Sequence, residues 1–150
     1  MLVDCGPVVT DELITSWQES SFVLLPEAYI AFLKKYGNGG EPDETFYIPV
    51  NSAYVEPEDG VSITAVFGIF HPAKVCNLEN FLDVIPCHLP LFPFALDETG
   101  GMFGISVCSE SLGAVYHYGT DERTIRAAKD LLFVANSPIE VFEKYYFNRG

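Results

Sequence analysis

A nucleophile and a base stand side by side in this sequence at Cys87-His88. A cysteine nucleophile needs a base within hydrogen-bonding distance, but adjacent side chains of a β-strand point to opposite faces of the sheet. No GxSxG, HExxH or Walker segment accompanies the dipeptide. The case for an unrecognised hydrolase with Cys87 as its nucleophile is therefore weak, and the sequence favours a protein that is not an enzyme.

The histidines and the cysteines lack the spacing of a metal site. His71, His88 and His117 are dispersed, and no two of them share a helical face at i and i+4. The sequence therefore predicts neither a metal nor another cofactor. Residues 1–9 contain no positive side chain, which does not match the start of a secretory signal peptide. We therefore expect a cytoplasmic chain, in which the thiols are reduced and mostly buried. The thiols belong to Cys5, Cys76, Cys87 and Cys108.

Carboxylates are the groups that this chain holds in excess. There are 21 Asp and Glu against 8 Lys and Arg, which gives a formal net charge of -13. Many of the acids fall in short turn sequences, which we expect to be exposed because an unpaired buried charge is prohibitively costly. Adjacent carboxylates could do glycosidase chemistry, but so many acids produce such pairs by chance. The candidate residues are Glu41, Asp43, Glu44, Glu56, Glu58, Asp59, Asp97, Glu98, Asp121 and Glu122.

The charge balance argues against two classes of partner. Binding to nucleic acid through phosphates needs clustered Lys and Arg, and an anionic membrane surface is disfavoured for the same reason. No apolar run approaches the roughly 20 residues that span a bilayer. A basic partner, in contrast, would be steered towards this surface, although negative charge can also serve solubility alone.

Three segments carry helix signals. Residues 9–18 form a short helix capped by Thr10 or Asp11, and the Glu/Ser cluster at 19–21 ends it. The second helix begins with Pro26 at its first position, presents an apolar stripe at i, i+3, i+4 and i+7, and ends at Gly37 in a left-handed conformation. The third helix is capped by Ser137, with Pro138 at its first position. The stripe consists of Tyr29, Phe32, Leu33 and Tyr36.

The remaining signals are mostly those of strands. Residues 61–69 alternate apolar and polar side chains, as in a half-buried strand, and residues 45–50 and 131–134 are further candidates. Between them, Asn77 is placed to cap a short helix that Pro86 stops. Residues 89–118 form a β-meander, in which Pro90 and Pro93 should lie at a strand entrance or a sheet edge.

These elements predict an α+β fold over residues 1–150 as one domain. A mainly antiparallel sheet of about five to six strands should carry its helices packed on one face. The apolar stripes of the helices then form the core against that face. The Asn-Gly-Gly sequence at 38–40 is a turn and not a phosphate loop, because it follows a helix and lacks the P-loop lysine.

Several short motifs resemble the SUKH superfamily, which holds bacterial immunity proteins together with yeast cell-wall assembly regulators. The motifs stand in the family's order over roughly residues 10 to 147, although Met102 and Phe103 follow the glycine pair where members often carry Asp or Asn. The matching blocks are Leu25-Pro26 with Tyr29, Phe32-Leu33 and Tyr36-Gly37-Asn38-Gly39-Gly40; Phe94-Ala95-Leu96-Asp97 with Gly100-Gly101 and Gly113-Ala114-Val115-Tyr116; and Ala135-Asn136-Ser137 with Phe142.

The resemblance implies a SUKH-like fold and a protein that binds other proteins without catalysis. The expected function is that of an immunity protein, which occludes a polymorphic toxin delivered by neighbouring cells. The toxin would be basic, such as a nuclease, and the acidic turns would contact it where nucleic-acid phosphates otherwise lie. A regulatory or scaffold module, as in the eukaryotic branch of the superfamily, is the alternative.

Overall fold

Two helices open the fold, in a computed structural model that describes residues 1–49, 60–119 and 131–148. Helix α1 spans Asp11–Ser21, and Thr10 caps it by accepting a hydrogen bond from the Leu13 amide at 3.1 Å. The cap is the one that the sequence predicts, but the helix runs through the Glu/Ser cluster. Helix α2 spans Glu27–Tyr36.

The two ends of α2 differ slightly from the prediction. Pro26 lies at the N-cap, one position before the first helical residue, and its φ of -60° suits the entry to the helix. Gly37 ends the helix as expected, but with φ 118° and ψ 167° it lies outside the left-handed helical region. A positive φ of this kind still favours glycine.

The strands form the predicted antiparallel meander. Six of the described strands make one sheet in the order β3-β4-β5-β6-β7-β8, and β1 and β2 pair separately. Neighbours in the six-stranded sheet are consecutive strands of the sequence. The bounds are β1 Leu2–Val3, β2 Glu41–Pro42, β3 Tyr47–Ile48, β4 Val61–Val66, β5 Leu91–Asp97, β6 Met102–Ser106, β7 Val115–Tyr118 and β8 Leu132–Ala135.

Pro93 is the third residue of β5. Its register partner in β6 is Gly104, whereas the register between β5 and β4 covers only Ala95, Leu96 and Asp97. Pro93 therefore lies near the start of the strand, in a part that pairs with β6 alone among the described strands, in agreement with the predicted strand entrance or sheet edge. The register between β5 and β6 shifts between Pro93 and Ala95, and a bulge of this kind accommodates a residue that has no amide hydrogen to donate.

The predicted helix after Asn77 is replaced by two short 3-10 turns, Lys74–Cys76 and Leu78–Phe81. Gly68 donates its amide hydrogen to the Cys76 carbonyl at 2.7 Å and accepts one from the Leu78 amide at 2.9 Å. These bonds hold Asn77 in an extended conformation beside Gly68. The Leu78 amide would have no intrahelical partner at the first position of a helix, and this long-range bond satisfies it.

The closing helix α3 spans Pro138–Val141 and continues as a π-helical turn over Phe142–Tyr146. Its predicted cap is confirmed, because Ser137 Oγ accepts a hydrogen bond from the Glu140 amide at 3.0 Å. The turn brings Phe142 against Phe32 of α2, with ring centroids 5.2 Å apart. The two helices thereby share one part of the core.

The core lies between the helices and one face of the sheet, as predicted. Phe32 of α2 meets Phe94 of β5 edge-to-face at 4.9 Å, and Tyr29 meets Phe92 at 5.5 Å. Tyr29, Phe32 and Leu33 are all buried, so the stripe of α2 packs in the core. No helix in the described ranges has the length and apolar character that a membrane span requires.

Candidate functional site

Two of the predicted acidic turns flank strand β4. Gly40, which precedes β2, exchanges two backbone hydrogen bonds with Val66 of β4, at 3.0 and 2.8 Å. On the other side of β4, Ile63 is the register partner of Asp97, the last residue of β5. Glu41 therefore approaches β4 from one side, and Glu98 approaches it from the other.

A small polar pocket of about 290 Å³ lies beside β4, and its walls include Glu41, Glu44 and residues 62–64. The Ser62 amide lies 3.4 Å from Glu98 Oε1, and the Ser62 carbonyl accepts a hydrogen bond from the Glu98 amide at 3.1 Å. Glu41, Glu44 and Glu98 are all exposed. We call these three residues the acidic edge.

The acidic edge presents carboxylates to solvent. Exposed carboxylates accept charge-assisted hydrogen bonds from Lys or Arg of a partner, and Arg can bind them through two donors at once. Within the ranges that the structure describes, no group of His, Cys, Asp and Glu is arranged to hold a metal ion. The chemistry that the edge offers is thus recognition of positive charge.

Asp43 is exposed but already has partners inside the protein. Its Oδ1 accepts a hydrogen bond from the Tyr146 hydroxyl and also contacts the Met1 amino group. Its amide donates to the Met1 carbonyl at 2.6 Å. Asp43 thereby ties the segment after β2 to the C-terminal π-helical turn.

The expectation that Asp97 is exposed is wrong, since only 2% of its surface is accessible. Its Oδ2 lies 2.6 Å from His117 Nε2 in β7, and its Oδ1 accepts hydrogen bonds from the Thr99 amide, the Thr99 hydroxyl and the Gly101 amide at 2.7–2.8 Å. Burial by itself raises the pKa of Asp97, but the hydrogen bonds from His117 and Thr99 outweigh it, and the pKa is lowered. A buried carboxylate is tolerated here because it is fully partnered.

The buried Asp97–His117 pair resembles two members of a catalytic triad. The other ring nitrogen, His117 Nδ1, is buried and has no hydrogen-bond partner among the described residues. A triad would place a hydroxyl or thiol nucleophile at that nitrogen. The pair joins the turn between β5 and β6 to β7.

Cys87 and His88 lie in a turn and not in a strand, since the Leu89 amide bonds the Pro86 carbonyl at 3.0 Å. Both side chains are exposed, and no hydrogen bond joins them in the part of the chain that the structure describes. The geometry shows no paired nucleophile and base at this position.

The expectation of mostly buried thiols is also wrong. Of the four free cysteines, Cys76 is buried, Cys108 is partly exposed, and Cys5 and Cys87 are exposed because they lie in loops. Burial raises the pKa of the Cys76 thiol, and the nearby charge of Glu41 raises it further. Burial likewise raises the pKa of Cys5. Neither thiol is activated as a nucleophile, because activation requires a lowered pKa.

The other predicted partner residues, Glu56, Glu58, Asp59, Asp121 and Glu122, lie outside the described residues. Partner binding by Glu41, Asp43, Glu44 and Glu98 stays a prediction. The structure adds to the exposure of these four residues the finding that two separate turns lie on either side of β4.

Sequence reasoning missed an apolar cleft of about 460 Å³ between the start of α2 and the loop that joins β6 to β7. The sequence holds a signal for this cleft. Phe22 and Leu24 are large apolar residues in the connection between α1 and α2, and they do not belong to the apolar stripe of either helix. The cleft is lined by residues 24–28, Val107, Leu112 and Gly113.

Comparison with known proteins gives a family but no individual relative. Neither the curated proteins nor the solved structures contain a match to this chain. The model of the SMI1 / KNR4 family (SUKH-1) matches residues 8–144, a range that begins just before α1 and ends within the C-terminal π-helical turn. The resemblance seen in the sequence is confirmed, and the chain belongs to the SMI1 / KNR4 family (SUKH-1).

Proposed function

We propose that this protein is an immunity protein, which binds a polymorphic toxin and neutralises it without catalysis. The toxin is a basic protein such as a nuclease, and the acidic edge is part of the surface that contacts it. One observation carries the proposal: in a chain of the SUKH-1 family, two acidic turns place exposed carboxylates on the two sides of β4.

The proposed mechanism is occlusion of a basic substrate groove. A nuclease binds phosphates with Lys and Arg, and carboxylates of an inhibitor can occupy the same donors. The net charge of -13 would steer a basic toxin towards the inhibitor and raise the association rate. Each exposed ion pair adds only about 1 kcal/mol or less, so the acidic edge should influence the association rate more than the final affinity.

A regulatory or scaffold module is the second candidate, and the family match itself favours it. SUKH-1 carries the names of the SMI1 / KNR4 branch, which the sequence resemblance connects with cell-wall assembly regulation. Such a module would also bind proteins without catalysis. Gene context separates the two functions, because an immunity gene stands beside the gene of its toxin.

The first experiment is to identify the partner by co-purification. The tagged protein is recovered from its native lysate and washed in low salt and then in about 0.5 M salt, where screening acts within about 4–5 Å. Recovery of a basic toxin domain whose activity is blocked in the complex supports the immunity function. Recovery of endogenous housekeeping partners without a toxin supports the regulatory module.

The second experiment tests the acidic edge with that toxin. The double variant Glu41→Lys/Glu98→Lys should slow association about tenfold and flatten its dependence on salt, because steering depends on local charge. Stopped-flow kinetics at several salt concentrations measure both effects.

The matched control is Glu79→Lys/Asp83→Lys, which changes two exposed acids elsewhere on the protein. In both variants each of the two substitutions replaces a negative with a positive charge, a change of +2, so the net charge moves from -13 to -9. Equal slowing by the two variants would show that only the net charge matters. An unchanged rate in Glu41→Lys/Glu98→Lys would remove the acidic edge from the interface.

A further inference from the structure

The apolar cleft beside α2 exposes large side chains that the core does not use. Leu24 is 81% exposed and Leu112 is 70% exposed, and Val107 is 49% exposed on the same wall as Leu112. Scattered apolar residues are normal on a protein surface, but several that line one cleft mark an interaction site.

Phe22 adds a second observation, because it lies two residues before Leu24, which lines the cleft. It ends α1 in the left-handed region with φ 60° and ψ 27°, and 94% of its surface is exposed. This conformation costs an L-residue other than glycine about 1–2 kcal/mol, and an exposed aromatic ring recovers little of that cost by packing. The fold alone gives no reason to keep phenylalanine at this position.

The first wall of the cleft is held in place by hydrogen bonds. Gln18 Oε1 accepts a hydrogen bond from the Leu25 amide at 2.9 Å, and Ser21 Oγ accepts one from the Val23 amide at 3.2 Å. The connection from α1 to α2 is thereby fixed by two side chains of α1. A surface that is already ordered loses less entropy when it binds.

The second wall is fixed in the same way. The Val107 amide bonds the Pro90 carbonyl at 2.9 Å, and the Gly113 amide bonds the Ser106 carbonyl at 2.9 Å. At the base of the cleft, a Cβ atom on Gly113 would lie 3.4 Å from the Ala28 Cβ. The two walls are therefore in close contact at Gly113.

The charges around the cleft indicate what it would bind. Segments 18–28 and 105–114 contain Glu19, Glu27 and Glu110 but no Lys or Arg. Glu27 lines the cleft itself, and all three carboxylates are exposed. A second copy of this chain would bring the same acids against themselves, and like charges that face each other oppose association. A chain with apolar residues between basic ones matches both features of the cleft.

We propose that this cleft is an anchor site for a leucine- or phenylalanine-sized side chain of a basic protein partner, with lysine or arginine beside the anchor. The inference rests on the proposed function only for the basic character of the partner. The cleft would supply the desolvated anchor contact that dominates binding energy in interfaces, whereas the acidic edge would act on the association rate.

The test uses the full chain, labelled with ¹⁵N, and a short synthetic peptide in which leucine and phenylalanine alternate with lysine. The peptide should shift the amide signals of residues 24–28 and 107–113. A peptide with alanine at the apolar positions, and one with glutamate in place of lysine, should each bind much more weakly. Equal shifts from the lysine–alanine peptide would overturn the proposal, because binding would then be electrostatic alone.

Two matched variants test the cleft itself. Val107→Ser should weaken binding of the lysine–leucine/phenylalanine peptide roughly five- to tenfold, the loss expected when the exposed half of a valine side chain is buried on binding. Val75→Ser changes a valine of the same 49% exposure outside the cleft and should leave binding unchanged. Equal effects of the two variants would overturn the proposal.

The outcomes separate this inference from the proposed function. Glu41→Lys/Glu98→Lys should bind the peptide at the cleft as the wild type does, whether or not a toxin is found. Peptide shifts confined to residues 41–44 and 98 would overturn the anchor site and leave the acidic edge intact. Shifts of residues 24–28 and 107–113 that appear on concentrating the protein without peptide would assign the cleft to self-association and would also overturn the proposal.

Discussion

Asp97 is an acidic residue whose hydrogen-bond partners stabilise it in the interior of the protein. Its two oxygens have four hydrogen-bond partners, one from His117 and three from Thr99 and Gly101. Gly101 leaves room for this arrangement, because a Cβ atom there would lie 2.6 Å from Asp97 Oδ2. The carboxylate therefore fixes the turn between β5 and β6 and connects it with β7.

Replacing this carboxylate should destabilise the protein. Asp97→Asn removes the charged acceptor of the hydrogen bond with His117, and a hydrogen bond to a charged group contributes about 1.5–3 kcal/mol. The lowered pKa of Asp97 means that its contribution is fully present above about pH 4, the value of an unfolded Asp, and is lost as the pH falls through the folded-state pKa. Urea unfolding from pH 7 downwards measures the difference between the wild type and the variant.

Glu98→Gln is the control for this substitution. It changes the neighbouring residue and removes the same charge, but from an exposed side chain, so its cost should stay within about 0.5 kcal/mol. The difference in the free energy of unfolding between the wild type and Asp97→Asn should become smaller at acidic pH, because protonation of Asp97 then removes the same negative charge in the wild type. A gap that is independent of pH would contradict this account of Asp97.

At the scale of elements, the turn after α2 connects the helical layer with the segment that follows β4. The Asn38 side chain is buried, donates to the Pro7 and Ile69 carbonyls at 2.8 Å, and accepts from the Ile69 amide at 2.8 Å. Next to it, the backbones of Gly39 and Gly68 approach so closely that a Cβ atom on Gly39 would lie 2.6 Å from the Gly68 nitrogen.

The close approach at Gly39 can be measured with a pair of glycine substitutions. Gly39 and Gly100 both have positive φ, 73° and 88°, so alanine at either position costs about 1–2 kcal/mol of backbone strain. Gly39→Ala should cost more than Gly100→Ala by at least about 2 kcal/mol, because it alone must push neighbouring backbone aside. Chemical unfolding of both variants gives the difference, and equal losses would contradict the contact.

Elements with local signals could be predicted from the sequence, whereas those set by distant residues could not. Thr10 and Ser137 cap their helices as predicted because a cap bonds an amide only three residues away. The 3-10 turn after Asn77 lies beside a bridge to Gly68, and the exposure expected for Asp97 is lost to His117, which lies 20 residues further on. The positions of Glu41 and Glu98 on the two sides of β4 likewise depend on pairing between distant residues.

At the scale of the whole molecule, the charge is large and unbalanced. The described cations include Lys34 and Lys35, which pair with Asp11 at 2.7 Å and with Glu143 at 3.7 Å. With 21 acids against 8 bases, most carboxylates still repel one another, and such self-repulsion destabilises the compact state. The acidic edge concentrates part of this repulsion in one place.

The repulsion predicts that salt stabilises this protein. Raising sodium chloride from about 10 mM to about 150 mM shortens the Debye length from roughly 30 Å to 8 Å and should raise the free energy of unfolding by on the order of 1 kcal/mol. Glu41→Lys/Glu98→Lys should be more stable than the wild type in low salt and should respond less to added salt. Urea unfolding at each salt concentration measures both quantities.

The control Glu79→Lys/Asp83→Lys reaches the same net charge of -9 from -13 and separates local from global repulsion. A larger gain in stability from Glu41→Lys/Glu98→Lys would locate the repulsion at the acidic edge. Equal gains in the two variants would assign the repulsion to the net charge alone. A gain at the edge, together with slower toxin association in the same variant, would mean that this surface holds its carboxylates at the expense of stability. That trade-off is expected of a binding site and not of residues kept for solubility.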